Sequence, residues 1–285
     1  MPKPDFDLPA PREIRRQLLK ILEQEPAEAA LAHALRQLAK YRSHLLQWEL
    51  ARSQGAEVRA GPFRGMKYID HSSEGCHIPK ILGCYEHELQ PFFEAAIATG
   101  YEDVVNVGCA EGYYAVGLAL RMPQTRVHAY DIDPSARKMC ERVAGQNAVA
   151  TRVRVAEAFT SATFREFAGR RALFLIDVEG SERDLIAAAP GAELAGFDFI
   201  IECHDAAPAK MSSPLRSHLE PTHASALITH RIAAPQLPPL FENLGHLDQL
   251  LAVWEWRGHP TPWLVAASRS AAPTPFSATV AAATS

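Results

Sequence analysis

The chain of 285 residues is most informative at first for what it lacks. It has no run of about 18 apolar residues, so no transmembrane helix is expected. Its N-terminus, MPKPDFDLPAPREIRRQLLK, has no apolar core of the kind a secretory signal needs, so none is expected. The five cysteines are an odd number and include no C-x-x-C pair, so free thiols in a reducing, cytoplasmic setting are expected. Net charge is −4 with a pI near 6.3. No Lys/Arg stripe with interleaved aromatics occurs, which argues against nucleic acid as a partner. Cys76, His77, Cys84 and His87 lack the two close-spaced ligand pairs of a structural zinc site, so buried thiols and a turn are expected there.

What is present is ordinary in bulk: 47% hydrophobic and 22% charged residues, the profile of a soluble globular domain. The length suits one large α/β domain with an appendage, or two small domains. Residues 1–10 are proline-rich and expected to be loose. From Pro11 to about Ser53 the apolar residues recur at helical spacing. Ile14, Leu18, Leu19, Ile21 and Leu22 mark one stripe; Leu31, Leu35, Leu38, Leu45, Leu46 and Leu50 mark another. Glu25-Pro26 separates them. Two helices are predicted, making residues 1–60 a helical arm. Their apolar faces need a cover: the main domain, a second copy of the chain, or a substrate. Residues 61–101 read as a linker with a hairpin or turn and then a helix around Pro91–Ala98.

Regular alternation begins at residue 102. Short apolar runs at Val104–Val107, Arg126–Tyr130, Arg152–Val155, Ala172–Ile176 and Phe197–Ile201 read as strands. Helices are predicted between them, one at Tyr113–Arg121, one opened by Asp133-Pro134, a short one at Phe164–Phe167 and one opened by a capping box at Ser181-Glu-Arg-Asp184. Strands alternating with helices in this way predict a doubly wound, Rossmann-like parallel sheet over residues 102–270. Leu250–Trp256 and Pro262–Ala267 read as a closing antiparallel pair. Residues 206–239 read as a substrate-facing insert, in which His218, His223 and His230 are taken as surface residues. Trp254, Trp256 and Trp263 are assigned to packing, and the alanine-rich stretch 271–285 to a disordered tail.

In such sheets ligands bind beyond the carboxyl ends of the strands. Each predicted strand has an acidic residue there: Glu111, Asp131, Glu157, Asp177 with Glu179, and Glu202 with Asp205. The first turn, Gly108-Cys-Ala-Glu-Gly112, is not the G-x-G-x-x-G of dinucleotide sites. Its glycines stand four apart, and Glu111 inside the turn would repel a pyrophosphate. Asp131 follows Gly112 by 19 residues, where an acid can accept hydrogen bonds from ribose hydroxyls. A nucleoside with a cationic amino-acid tail meets both conditions, and S-adenosylmethionine is such a molecule.

At this point VVNVGCAEGYYAVGLA and VHAYDIDP resemble motifs I and II of class I S-adenosylmethionine-dependent methyltransferases, and LFLIDVEGSERDLI resembles the DVEG segment of the FkbM type. The resemblance spans roughly residues 83–268. It implies a seven-stranded sheet whose last strand is antiparallel. It implies that Gly108, Ala110 and Gly112 run along the methionine part of the cofactor, that Asp131 binds the ribose, and that Ile132 and Glu157 border the adenine. Asn106 and Ala110 stand where motif I often has Asp and Gly, and Tyr85 falls in a neighbourhood that approaches the cofactor. Asp177, Glu179 and His204 are the expected catalytic groups, by Asp/His base catalysis, or, as Asp177, His204 and Asp205, an oxygen-rich site for Mg²⁺ or a similar ion. The implied activity is methyl transfer to a small or medium-sized acceptor, most simply at oxygen. Nitrogen or carbon methylation and a non-catalytic cofactor-binding module stay open. A small-molecule acceptor, no nucleic acid, no membrane, and a homodimer through the N-terminal helices complete the expected partners.

Overall fold

The computed structural model describes residues 10–70, 72, 76–205 and 210–284. The strands are β1 (Asp103–Val107), β2 (Arg126–Tyr130), β3 (Val153–Ala156), β4 (Ala172–Ile176), β5 (Asp198–Glu202), β6 (His223–Ile228) and β7 (Trp263–Ser268). They form one sheet in the order β3-β2-β1-β4-β5-β7-β6. The first five strands pair in parallel, and β7 runs antiparallel to both β5 and β6. This is the expected Rossmann-like doubly wound sheet of seven strands with its last strand reversed. Because β1 lies between β2 and β4, the winding switches sides there, and the crevice opens beyond the carboxyl ends of β1 and β4.

The sequence explains why these strands are central. DVVNV, ALFLI and DFIIE are buried at every position, as strands covered on both faces must be. Successive side chains alternate between two cores. Val104, Leu173, Leu175 and Ile200 face one core, completed by α4 (Gln90–Thr99) and α5 (Tyr113–Arg121). Val105, Phe174, Ile176 and Phe199 face the other, where Phe167 meets Phe174 edge to face and Phe164 and Phe197 meet it at a tilt. Helix α6 (Pro134–Gln146) follows β2, and the Asp133 side chain accepts from Ser135 N at 2.8 Å to cap it.

The N-terminal arm is two helices, α1 (Pro11–Gln24) and α2 (Ala27–Gln54), broken at Pro26 as its geometry requires. The second half of α2 packs on the main domain. Leu46 and Leu50 are buried in its core, and Arg42 pairs with Asp248 at 2.6 Å. Leu31, Leu35 and Leu38, in the first half, stay exposed. In the linker, the Glu57–Lys67 contact is a single antiparallel bridge and not a hairpin with strands. A short helix, α3 (Ile78–Leu82), precedes α4. Cys76 and Cys84 are buried free thiols.

Three expectations are corrected. Leu250–Trp256 is not a strand: it straddles the end of a helix, α11 (His246–Val253), and an extended strap. The partner of β7 is instead β6, within the segment read as an insert, with His223 buried at its start. Beyond the short helices α7 (Glu182–Ala187) and α8 (Gly191–Leu194), that segment therefore carries a strand and a helix, α9 (Ser212–Leu219), with the short α10 (Pro239–Glu242) at its end, while residues 206–209 lie outside the described residues. The supposed disordered tail holds α12 (Pro275–Ala283), capped reciprocally by Thr274 and Ser277. Its Phe276 and Val280 are buried in the main core. Low complexity concealed two apolar anchors four residues apart, the spacing of one helix face.

Candidate functional site

The loop after β1 is shaped by close backbone approach. Gly108 has φ +78, and a Cβ there would sit 1.5 Å from the Asp177 carbonyl oxygen. Gly112, at φ +89, lies against Cys140 of α6, with 2.8 Å from a Cβ to its sulfur. Ala110 adopts φ +46 without glycine's freedom. The Gly108 and Cys109 amides donate to the Tyr130 carbonyl, at 2.8 and 2.9 Å. Asp131 then joins the ends of β1 and β2: its Oδ2 accepts from Ala110 N and its Oδ1 from Asp133 N, both at 2.8 Å. Each carboxylate oxygen keeps a further lone pair for a ligand.

Beyond these strand ends lies a cleft in two connected parts. The smaller, of 280 Å³, is bordered by Asp131, Ile132, Glu157, Phe159 and Val178. Ile132 is 82% exposed, an apolar side chain left bare at the edge of a cleft. The larger, of 430 Å³, is bordered by Tyr85, Ala110, Tyr113, Glu202, His204 and Arg257 among others. Gly108, Asp177 and Glu179 line both parts.

Nine of the expected site residues thus meet at one cleft: Tyr85, Gly108, Ala110, Asp131, Ile132, Glu157, Asp177, Glu179 and His204. Four others do not. Glu111 is fully buried behind the loop, where Lys80 Nζ lies 2.5 Å and Ser72 Oγ 2.6 Å from its Oε1 and Tyr68 also donates to it. Its charge is answered by Lys80, so it does not repel a phosphate in the cleft as its place in the turn suggested. Gly112 faces α6, and Asn106 is buried in β1 with both side-chain polar atoms unpartnered among the described residues. Asp205 caps α9 instead of joining a metal site: its Oδ1 accepts from Met211 N at 2.5 Å and Ser212 N at 2.9 Å. The capping box at Ser181 also fails to form. Glu182 accepts from the Val178 and Gly180 amides instead, at 3.0 and 3.1 Å.

The floor of the larger part is unusually rich in carboxylates. His204 Nδ1 lies 2.8 Å from Glu182, and its Nε2 lies 3.2 Å from Glu179, 3.4 Å from Glu202 and 3.9 Å from Asp177. Burial by itself would lower the His204 pKa, but bonds to Glu179 and Glu182 and the charge of Glu202 raise it to about 11. This favours the imidazolium form, a donor to the carboxylates around it. Burial, then the charge of Glu202, pushes the Asp177 carboxyl well above its usual range. Asp177, Glu179 and His204 each offer one ligand atom, all within 4.8 Å of one another. A second cluster adjoins this one. Arg257 binds Glu86 at 2.5 Å, Glu255 at 3.1 Å, and Glu202. Burial raises the Glu86 carboxyl to about 8 against the pull of Arg257.

Arg257, Glu255, Lys80, Tyr113 and Tyr114 were not singled out from the sequence. Arg257 sits in WEWRGHPTP, where a lone Arg between turn residues just before the last strand is the one local signal. Trp256, assigned to packing, borders the cleft and has φ +63. Trp263 is buried on β7, as packing requires.

No protein-family model matches the chain, and no curated protein matches it in sequence. Solved structures do align with it. A putative O-methyltransferase from Klebsiella pneumoniae aligns at 12% identity and a TM-score of 0.42, over 64% of this chain and 80% of that one. The O-methyltransferase from Bacillus cereus, in complex with SAH, aligns at 10% and 0.41, over 62% and 79%. Cofactor-bound Rv0187 from MTB aligns at 15% and 0.42, over 93% and 100%. At these values the similarities establish nothing about chemistry, which rests on the cleft itself.

Proposed function

We propose that this chain is an S-adenosylmethionine-dependent methyltransferase acting at oxygen on a small or medium-sized acceptor. The observation that carries the reading is the two-part cleft at the strand ends. One part pairs a ribose-type acid, Asp131, with an exposed apolar edge, Ile132 and Phe159, and with Glu157 for the adenine rim. The other pairs a close-approach loop at Gly108 and Ala110, flanked by Tyr85, with a carboxylate-rich floor. Six carboxyl groups, Asp177, Glu179, Glu182, Glu202, Glu86 and Glu255, surround two cations, His204 and Arg257, and acid stays in surplus with Asp177 and Glu86 held toward their neutral forms. A surplus of acid in a low-dielectric recess favours a cationic ligand, and a sulfonium with an ammonium tail is one. When bound, that ligand supplies an electrophilic methyl group. Gly112, Glu111 and Asn106 act on the loop and not on the ligand.

The chain's own contribution to chemistry is orientation. The imidazolium of His204 holds Glu179, at 3.2 Å, toward the shared part of the cleft, which Asp177 also lines and where an acceptor hydroxyl can be aligned. The same Asp177, Glu179 and His204 would fit a hard divalent cation such as Mg²⁺ once His204 gives up its proton, and would hold it to lower the pKa of an acceptor hydroxyl. Nitrogen or carbon acceptors need neither group. Five free cysteines support a reducing, cytoplasmic setting. The exposed leucines of α2 support self-association, which sedimentation velocity tests.

Calorimetric titration with S-adenosylhomocysteine, with and without Mg²⁺ and with NAD⁺ as control, tests the reading. Tight binding of the homocysteine alone is expected, and Asp131→Ala should weaken it by about tenfold or more. Absence of binding, or equal affinity in the Asp131→Ala variant, overturns the cofactor assignment. Binding with no turnover on any acceptor class favours a binding module. A heat that depends on Mg²⁺ favours the metal arrangement.

A further inference from the structure

The arm that precedes the sheet reaches the cleft. Lys40, on α2, lines the larger part together with Trp256, Arg257, Gly258 and His259 of the strap before β7. Its Nζ rests 5.2 Å from the centroid of the Trp256 ring. Among the described residues it has no hydrogen-bond or ion-pair partner. Every other buried or half-buried cation described above is matched to at least one carboxylate.

The strap is built to keep Lys40 in that position. Trp256 is held at φ +63, a left-handed conformation that a non-glycine residue keeps only where surrounding contacts impose it. Those contacts come from α2. Arg36 donates to the Trp256 carbonyl at 3.2 Å and to the Arg257 carbonyl at 3.3 Å. The indole Nε1 donates to Ser43 Oγ at 3.2 Å, and His44 meets the ring edge to face at 4.9 Å. One helix therefore strains a tryptophan into the cleft wall and lays an unneutralised ammonium over its ring, an attraction that positions the charge without cancelling it. The cleft is electrically layered: carboxylates cover the floor, where the cationic donor of the proposed reaction belongs, and the ammonium of Lys40 stands on the α2 side against the strap.

We propose that Lys40 is the acceptor-recognition residue, binding a carboxylate or phosphate group on a small aromatic methyl acceptor, and that Trp256 is its positioning residue. The anionic tail is drawn to the rim, away from the acidic floor, which aims the opposite end of the molecule inward. The aromatic class follows from Tyr85, Tyr113, Tyr114 and Trp256 in the wall. This rests on the methyltransferase reading for its meaning but not for its test.

The test is calorimetry of 4-hydroxybenzoate, phenyl phosphate and phenol, each titrated into the full chain with and without S-adenosylhomocysteine. At least one anionic probe should bind about tenfold more tightly than phenol, the order expected of a charge-assisted bond. Lys40→Met should abolish that advantage and leave phenol unchanged, and Lys40→Arg should restore most of it. Trp256→Leu should lower it in part. Which anion prevails separates a carboxylate from a phosphate acceptor. Equal binding of phenol and both anions, or an anion preference that survives Lys40→Met, overturns the proposal. Loss of S-adenosylhomocysteine binding alone would strike the donor assignment and leave the Lys40 comparison intact.

Discussion

The buried Lys80–Glu111 pair offers the sharpest test of how the cofactor-type loop is held. Their side chains are 6% and 0% exposed, and Nζ to Oε1 is 2.5 Å. Burial disfavours the Lys80 ammonium, but the charge of Glu111 more than offsets this, and its pKa is raised overall. Tyr68 and Ser72 bond the same Glu111 oxygen. Lys80→Met removes the cation and strands a carboxylate in the core, which costs about 3–5 kcal/mol. That is a large part of the 5–15 kcal/mol that holds a typical domain together. Lys80→Met with Glu111→Gln removes both charges, and the amide still accepts from Tyr68 and Ser72. The double variant should therefore recover most of the loss, to within about 1–2 kcal/mol of the parent. Urea unfolding followed by circular dichroism, run as a double-mutant cycle, measures this. A Lys80→Met cost below about 1 kcal/mol, or a double variant no more stable than the single one, would refute a charge-compensated loop.

Other expectations follow from the same contacts. Gly108→Ala would place a methyl on a backbone carbonyl in a left-handed conformation. About 1–2 kcal/mol is lost to the conformation alone, and thermal melting with S-adenosylhomocysteine titration should show both a lowered Tm and lost binding; a fully stable variant that still binds refutes the close approach. Burial holds the His77 pKa down at about 4, from 6.5, with a partial offset from the Ile69 carbonyl at 2.6 Å. A depressed base is neutral in the fold, so its contribution is present above pH 6.5 and is lost as pH falls toward 4, by up to about 3 kcal/mol. His77→Gln should flatten stability over that window, and an unchanged acid slope counts against it. Thr274→Ala removes the α12 cap and should cost about 1 kcal/mol. A melting curve identical to the parent's would mean that the Thr274 cap contributes nothing to the fold.

Much of the fold was legible because its central strands are continuous apolar runs bounded by turn residues. A run such as ALFLI has few alternatives once it must be buried on both faces. The edges were less legible. HASALI at β6 is short and begins with a histidine that is buried only because β7 and Phe197 lie beside it. Leu250–Trp256 has an apolar content equal to a strand's, and its helical half was decided by packing on α2 and α3. The tail hid its helix because alanine-rich composition is shared by disorder and by short buried helices.

The site divides along the same line. Sequence alone determined which residues stand at the strand ends, because chain position, Gly108 and the Asp131 spacing are local properties. It could not determine direction. Glu111 and Asp205 occupy positions equal to those of Asp131 and Asp177, yet one is turned inward to Lys80 and the other caps a helix. Nor could it bring Lys40 across more than two hundred residues to Trp256, or gather Glu86, Glu202 and Glu255 on Arg257. Except for Glu255, two residues from Arg257, those partners are remote in the chain: α2 packed on the strap brings Lys40 to Trp256, and the end of β5 brings Glu202 to Arg257. Charge compensation in a buried site acts over a few ångströms of space, whatever the distance along the chain.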